Sequence, residues 1–231
     1  MNDAPPRIEV TIAAPVDAVW HALRDKETIR HWHGWEFEGL DDEIDLIYFN
    51  HMTEDPAART LSVQEGDVIR LEPDGDGTRV TLTRAPRGVN PDWDAYYDDI
   101  TEGWVTFLQQ LRFAVERKPG APRRTVFLHG HNKTGRDLAQ DLGLGDAGAI
   151  DLVGEKVTAE PWYRAENQLG VTVDAWGDGL LVAASCEPTE AKPDGVAMAI
   201  LSTYGLSDDQ LAELTDRWRA WWTERYGPLP E

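Results

Sequence analysis

One long amphipathic segment constrains the fold of this chain more than any other feature of its sequence. Between Trp93 and Arg117, large apolar side chains recur every three or four residues, which predicts a helix with one apolar side. The positions on that side are Trp93, Tyr97, Ile100, Trp104, Leu108, Leu111 and Val115. At about 1.5 Å per residue this helix would span roughly 37 Å, the full width of a small sheet. The rest of the chain must therefore supply a surface that covers it.

The residues ahead of the long helix predict an antiparallel sheet. Residues 8–12 alternate apolar and polar side chains, as in a half-buried strand, and a helix is predicted to follow Pro15. Segment 35–84 is predicted to form strands and turns, and it ends in a hairpin that joins 68–72 to 78–84. This order of strands and helices indicates an α+β domain.

A second domain is predicted in the other half of the chain. The Pro- and Gly-rich stretch at 119–123 predicts a linker between a first domain, 1–118, and a second domain, 124–231. The second domain repeats the element order of the first: a strand at 125–128, a helix, several antiparallel strands and a Trp-bearing helix capped by Ser207. We expect a smaller α+β domain that is a shortened copy of the first. The alternative is an unrelated α+β cap packed on the first domain.

The charge of the chain excludes two classes of partner. Of the 231 residues, 42 are acidic and 22 are basic, so the formal net charge is -20. Such a surface repels phosphate backbones and anionic lipid headgroups, which excludes nucleic acid and membranes as partners. No segment is apolar enough to span a membrane and the N-terminus has no secretion signal, so we expect a cytoplasmic protein. We interpret the acidity as serving solubility.

Several short motifs suggest chemistry that their surroundings do not support. The strand and His-Gly pair at 125–130 resemble the opening of an α/β-hydrolase, but the chain contains no G-x-S-x-G. The stretch 130–135 (GHNKTG) departs from the phosphate-binding loop, because Asn132 stands where a glycine is needed. Two His-x-His pairs, at 31–33 and 129–131, lack a third ligand at metal-binding spacing. We therefore predict no catalytic residue, no metal and no cofactor, and whether the chain is an enzyme stays open.

Three stretches of the first half together resemble one known superfamily. They are 8–23 (IEVTIAAPVDAVWHAL), the Trp-rich 29–35 (IRHWHGW), and 77–83 (GTRVTLT) feeding a helix that contains 103–111 (GWVTFLQQL). Their order and spacing resemble the START-like, or SRPBCC, helix-grip superfamily, in the branch related to the activator of the 90-kilodalton heat-shock protein's ATPase. The resemblance covers 7–118, while the second half matches only in element order and in its closing Trp helix.

The resemblance implies a curved antiparallel sheet wrapped around the long helix, with a cavity between them. One helix laid across a strongly curved sheet leaves space for a small apolar ligand. We expect helix side chains to form the wall of this cavity, two tryptophans its rim, and two further side chains its polar tips. In that order, the predicted ligand-binding residues are Trp104, Leu108 and Leu111, then Trp32 and Trp35, then Tyr48 and His51. The alternative is that these side chains fill a closed core.

Three functions are compatible with such a fold. The first is the binding of a small apolar or aromatic molecule in the cavity. The second is a polyketide cyclase- or aromatase-like enzyme, in which His51, His33 or Tyr48 points into the cavity and moves a proton. The third, suggested only by the family's namesake, is a chaperone-interacting module with an exposed apolar patch. We rank the three hypotheses in that order.

Overall fold

The structure, a computed structural model, shows two compact α+β units. It describes residues 5–50, 52–63, 66–89, 91–186 and 195–228 (of 91–93, the backbone only). The units are Met1–Ala121 and Pro122–Glu231. Each consists of an antiparallel sheet and helices, which confirms the predicted α+β class with a curved sheet and a long helix. Within the described ranges, no helix combines the length and the apolar character that a membrane crossing requires.

The first unit is a curved antiparallel sheet with one long helix. In chain order its elements are β1 (Arg7–Ile12), α1 (Val16–Arg24), α2 (Lys26–Arg30), α3 (Leu40–Asp45), β2 (Thr53–Asp55), β3 (Thr60–Val63), β4 (Asp67–Asp74), β5 (Gly77–Thr83) and α4 (Tyr97–Arg117). Among the described residues its sheet has five strands in the order β1-β5-β4-β3-β2. The first strand therefore pairs with the last, with Arg7 opposite Thr83 and Ile12 opposite Thr78.

The spacing of apolar residues in the sequence predicted most of these elements, because it indicates which side of a helix or strand is buried. In β1 the alternate residues Val10 and Ile12 are buried, as the strand pattern requires. The β4–β5 hairpin turns through Gly75, whose φ of +61° favours glycine. The long helix begins at Tyr97, and Pro91–Tyr96 form a 3₁₀ turn ahead of it. The predicted helix start at Trp93 is therefore too early.

The segment after Gly39 corrects the prediction of strands and turns over 35–84. It forms α3, and the helix continues through one wide π-type turn, Leu46–Asn50. Its buried side chains recur every three or four residues, which is the spacing of a helix packed on one side. They are Leu40, Ile44, Ile47 and Tyr48. This helical segment carries Tyr48 into the core of the first unit.

The second unit has the same element order as the first. Its elements are β6 (Arg123–Asn132), α5 (Leu138–Asp141), β7 (Gly148–Leu152), β8 (Glu155–Arg164), β9 (Gln168–Val173), β10 (Gly179–Cys186), β11 (Val196–Tyr204), α6 (Asp208–Arg225) and β12 (Tyr226–Gly227). Its sheet, over the described residues, has seven strands in the order β12-β6-β11-β10-β9-β8-β7. Here too, the first strand of the unit, β6, pairs with the last strand before α6, which is β11.

The number of strands in the second unit differs from the sequence prediction. Its sheet has more strands than that of the first unit, so the expectation of a shortened copy is wrong in strand number over the described residues. The difference arises at β7 and the first half of β8, where exposed polar residues alternate with Leu152, Val157 and Ala159. Ala159 is small, and Leu152 and Val157 are far apart in the sequence. The alternation of buried and exposed residues therefore predicts these strands only weakly.

The start of α6 confirms the predicted cap. Ser207 Oγ accepts the backbone N–H of Gln210 at 3.3 Å, and Gln210 Oε1 accepts the backbone N–H of Ser207 at 2.9 Å. This reciprocal pair satisfies two of the backbone donors that a helix N-terminus leaves without partners. Behind it, Leu211, Leu214 and Trp218 are buried against the sheet of the second unit.

We expect Ser207→Ala to lower the free energy of unfolding of the second unit by about 1 kcal/mol, because the variant removes one side of the cap. Ser207→Asp keeps an acceptor at the same place and should restore most of that loss. Urea denaturation followed by tryptophan fluorescence measures both. Equal stability of Ser207→Ala and the unmodified protein would show that the cap contributes nothing.

Candidate functional site

Most of the predicted ligand-binding residues lie together in the hydrophobic core of the first unit. The buried members of the set are each at most 2% exposed and belong to one cluster. They are Trp32, Tyr48, Trp104, Leu108 and Leu111. Trp35 is half-buried, and its ring centroid lies 6.4 Å from that of the exposed Phe37. The remaining predicted residue, His51, lies outside the described residues.

A hydrogen bond between two buried side chains stands at the centre of this cluster. The hydroxyl oxygen of Tyr48 lies 3.0 Å from Nδ1 of His33. His33 is 0% exposed and Tyr48 is 1% exposed. His33 follows α2, where its backbone N–H donates to the carbonyl of Ile29 at 2.8 Å, and Gly34 then reverses the chain with a φ of +52°. The end of one helix and the wide turn of another thus bring these two polar groups together.

Aromatic rings enclose the pair. The Trp32 ring stands edge-on to both, with centroids 5.8 Å from His33 and 5.7 Å from Tyr48. From α4, the Trp104 ring is edge-on to Tyr48 at 6.3 Å, and the Phe107 ring lies 4.4 Å from that of His33. Edge-on packing of this kind is favourable because the positive edge of one ring meets the negative face of the next. Phe107 is only partly buried, so it separates His33 from solvent.

A carboxylate stands on the outer side of the pair. Glu43 on α3 places its Oε1 3.6 Å from Nε2 of His33, and its side chain is partly exposed. Burial raises the pKa of the Tyr48 phenol well above its ordinary value, and the charge of Glu43 raises it further. Tyr48 therefore keeps its proton at neutral pH. Glu43, His33 and Tyr48 form a line of polar groups from the surface into the aromatic interior.

A second buried polar network holds one wall of the site. The Trp104 indole N–H donates to Oδ2 of Asp67 at 2.9 Å, and Arg84 Nε lies 2.8 Å from the same oxygen. The other carboxylate oxygen of Asp67 accepts the backbone N–H of Ala85 at 2.8 Å. Arg84 also donates to the backbone carbonyl of Tyr97 and to the hydroxyl of Thr101. These bonds tie the start of α4 to β4 and orient the Trp104 ring.

An open groove of about 650 Å³ lies elsewhere in the first unit, between β1 and α4. It is a poor site for an apolar molecule, because seven of its ten lining residues are charged or polar: Glu9, Thr11, Asp74, Asp76, Gln109, Arg112 and Glu116. Two of its carboxylates already have partners, since Glu116 accepts from Ala13 and Arg112, and Asp74 pairs with Arg79. The His33–Tyr48 cluster is therefore the better candidate for an aromatic or apolar molecule.

No metal site is apparent in the part of the chain that the structure describes, where no three His, Cys, Asp or Glu side chains converge. His33, which the sequence pairs with His31 at chelating spacing, is instead hydrogen-bonded to Tyr48. The residues of the site are thus suited to hydrogen bonding and to aromatic contacts.

Comparisons with known proteins found similar solved structures but no match at the level of sequence families. No family model matches the sequence, and no curated protein matches it. Among solved structures, DynU16 from the dynemicin biosynthetic locus is 19% identical, with a TM-score of 0.32 over 96% of each chain. The di-domain ARO/CYC protein StfQ from the steffimycin pathway is 11% identical, with a TM-score of 0.36 over 94% of this chain and 92% of that chain. The di-domain ARO/CYC protein BexL from the BE-7585A pathway is 11% identical, with a TM-score of 0.33 over 95% of each chain.

The function proposed below is drawn from side-chain geometry, because identities and TM-scores this low transfer no activity. The predicted relation to the ATPase-activator branch stays a prediction, since neither comparison at the sequence level found a match.

The sequence analysis missed two members of the site. Phe107 lies three residues after Trp104 and therefore near the same side of α4, so its spacing was a usable signal. Glu43 could have been predicted as a member of the site only if segment 40–48 had first been recognised as helical. His33 was considered as a metal ligand and as a proton-transfer residue, but it was left out of the predicted ligand-binding set.

Proposed function

We propose that the first unit binds a small aromatic or apolar molecule between its sheet and α4, in contact with the aromatic rings around His33 and Tyr48. The observation that carries this proposal is the buried hydrogen bond between those two side chains inside an aromatic enclosure. A small-molecule site typically combines an apolar, aromatic lining with a few polar groups that fix the ligand's orientation.

The cost of burial supports a role beyond packing. Removing an imidazole and a phenol from water costs free energy that one hydrogen bond between them only partly returns. Apolar side chains of similar volume would fill the same space without that cost. Buried titratable groups with a line to the surface, here through Glu43, are typical of functional sites.

Phe107 is the side chain that a ligand must displace. Its ring lies against His33, and it is partly exposed, whereas Trp104 and Leu108 on the same helix are buried. A rotation of Phe107 about its side-chain bonds would expose the imidazole without moving α4. We therefore place the entrance of the site at Phe107.

This entrance gives the first test of the proposed function. Phe107→Ala should bind naphthalene about tenfold more tightly than the unmodified protein, because it leaves an apolar space that water does not fill well. The control is Phe37→Ala, which removes an exposed ring away from His33 and should leave the affinity unchanged. Isothermal titration calorimetry measures all three affinities. Absence of naphthalene binding by both the unmodified protein and Phe107→Ala would refute the proposed function.

A second candidate function is supported by the same two polar groups. In a cyclase- or aromatase-like enzyme, His33 and Tyr48 would transfer a proton at a carbonyl of a bound poly-β-ketone, which requires both side chains to face the interior, as they do. The test is the appearance of aromatic absorbance when the protein is mixed with a synthetic poly-β-ketone thioester. A proton-transfer role predicts a rate loss of about 100-fold or more in His33→Asn. A rate equal to that of the uncatalysed reaction would leave only the binding function.

The chaperone-interacting module stays a prediction. Phe37 and Leu46 are exposed apolar side chains of the first unit, 45% and 49% exposed. Acidic residues surround them in sequence, which would favour a basic partner surface. A pull-down with the 90-kilodalton heat-shock protein at low and moderate salt tests the hypothesis directly.

A further inference from the structure

The position of Glu43 favours one of the two neutral tautomers of His33. Its Oε1 lies 3.6 Å from Nε2, longer than a hydrogen bond but close enough for its negative charge to attract an N–H. A carboxylate can only accept, so the favoured neutral tautomer has its hydrogen on Nε2 and its lone pair on Nδ1.

The tautomer in turn sets the direction of the hydrogen bond to Tyr48. With the hydrogen on Nε2, Nδ1 can only accept, so in this tautomer the Tyr48 hydroxyl donates its hydrogen to Nδ1 across the 3.0 Å contact. The hydroxyl hydrogen is thereby used inside the protein. What the Tyr48 oxygen can still offer to a ligand is a lone pair.

The indole N–H groups of the enclosing tryptophans also donate to acceptors within the protein. Trp32 Nε1–H donates to the backbone carbonyl of Ala22 at 2.9 Å, and Trp104 Nε1–H donates to Asp67 at 2.9 Å. The Nε2–H of His33 is directed toward Glu43. The indole hydrogens of Trp32 and Trp104 thus have protein acceptors, while the Tyr48 oxygen retains acceptor capacity.

From this arrangement we infer that the site selects hydroxylated aromatic molecules, whose O–H donates to the Tyr48 oxygen, over equally shaped molecules that can only accept. The inference rests on the proposed function, since it concerns the same site. It adds the chemical class of the ligand: a phenol or an enol attached to a flat apolar ring system, with one hydroxyl reaching Tyr48. A ketone, an ether or a quinone of the same shape has no hydroxyl hydrogen. Its oxygen would therefore face the Tyr48 oxygen without a hydrogen bond between them.

Three naphthalene derivatives test this selection on the full-length protein. Naphthalene measures apolar binding alone, 2-naphthol adds a donor, and 2-methoxynaphthalene keeps the oxygen but removes its hydrogen. The unmodified protein should bind 2-naphthol about fivefold or more tightly than 2-methoxynaphthalene, the ratio expected for one neutral hydrogen bond. Titration calorimetry gives the three affinities.

Two variants and a control assign the selection to the residues named. In Tyr48→Phe, the affinities for 2-naphthol and naphthalene should become equal to each other within twofold, because the acceptor is gone. In Glu43→Gln, the side-chain amide can donate as well as accept, so the tautomer of His33 is no longer fixed and the preference for 2-naphthol should fall. Asp42→Asn changes an exposed carboxylate on the same helix and should keep the full preference.

The possible results separate this inference from the function on which it rests. Binding of all three compounds with equal affinity would overturn the selection of donors and leave the proposed function standing. A preference for 2-methoxynaphthalene would show that Tyr48 donates outward, which also overturns it. If none of the three compounds binds to the unmodified protein or to Phe107→Ala, the proposed function and the inference both fail.

Discussion

Asp67→Ala is expected to lower the free energy of unfolding of the first unit by about 3–5 kcal/mol, the usual result of breaking one side of a buried ion pair. Asp67 and Arg84 are only 2% and 6% exposed. Removing the carboxylate leaves the guanidinium charge buried and takes away the acceptor of both the Trp104 indole and the Ala85 backbone N–H. Each buried donor left without an acceptor adds to the cost of the charge.

A surface ion pair of the same unit supplies the control. Asp74 pairs with Arg79 at 3.0 Å, and both side chains are about one third or more exposed. Asp74→Ala should therefore cost no more than about 1 kcal/mol. Urea denaturation followed by circular dichroism gives the two values. A loss in Asp67→Ala no larger than that in Asp74→Ala would mean that the buried pair does not hold α4 on the sheet.

Gly177→Ala is expected to be at least as damaging to the second unit, with a loss of about 4 kcal/mol or more. Gly177 follows the 3₁₀ turn Asp174–Trp176 with a φ of 68°, in the left-handed region. A Cβ at this position would lie 1.9 Å from the backbone carbonyl oxygen of Tyr204. Because the obstacle is backbone in β11, relief requires displacing a strand rather than rotating a side chain.

Gly205 provides a matched control for the backbone angle. Its φ is 69°, and no described atom lies within 4 Å of where its Cβ would be. Gly205→Ala therefore carries the strain of a left-handed residue, about 1–2 kcal/mol, without the collision. The difference between the two variants, measured by urea denaturation, isolates the contact with Tyr204. Equal losses would contradict the predicted collision.

The substitutions at Asp67 and at the two glycines differ in what they test at the candidate site. The Asp67–Arg84 pair lies beneath Trp104, so Asp67→Ala tests the wall of the site as well as the stability of the unit. Gly177 and Gly205 belong to the second unit. Naphthalene affinity should thus change in Asp67→Ala, whereas Gly205→Ala should retain it.

The candidate site was only partly predictable. The resemblance predicted Trp104 in the wall of a cavity, Trp32 at its rim and Tyr48 as a polar tip, and all three are buried in one cluster. It could not distinguish a ligand site from a closed core, because apolar side chains look the same in both. His33 and Tyr48 are separated by 15 positions, and their hydrogen bond depends on a helical segment that the pattern analysis assigned to strands and turns.

The sequence by itself determined the type and order of the main elements: the strand at 8–12, the β4–β5 hairpin, the long helix and the capped α6. Each of these depends on side chains close in the chain, whose spacing records which face is buried. Only the tertiary structure decided that Glu43, His33 and Tyr48 line up, and that Asp67 meets Arg84 and Trp104. Such contacts depend on how elements cross in three dimensions, and no local periodicity records that geometry.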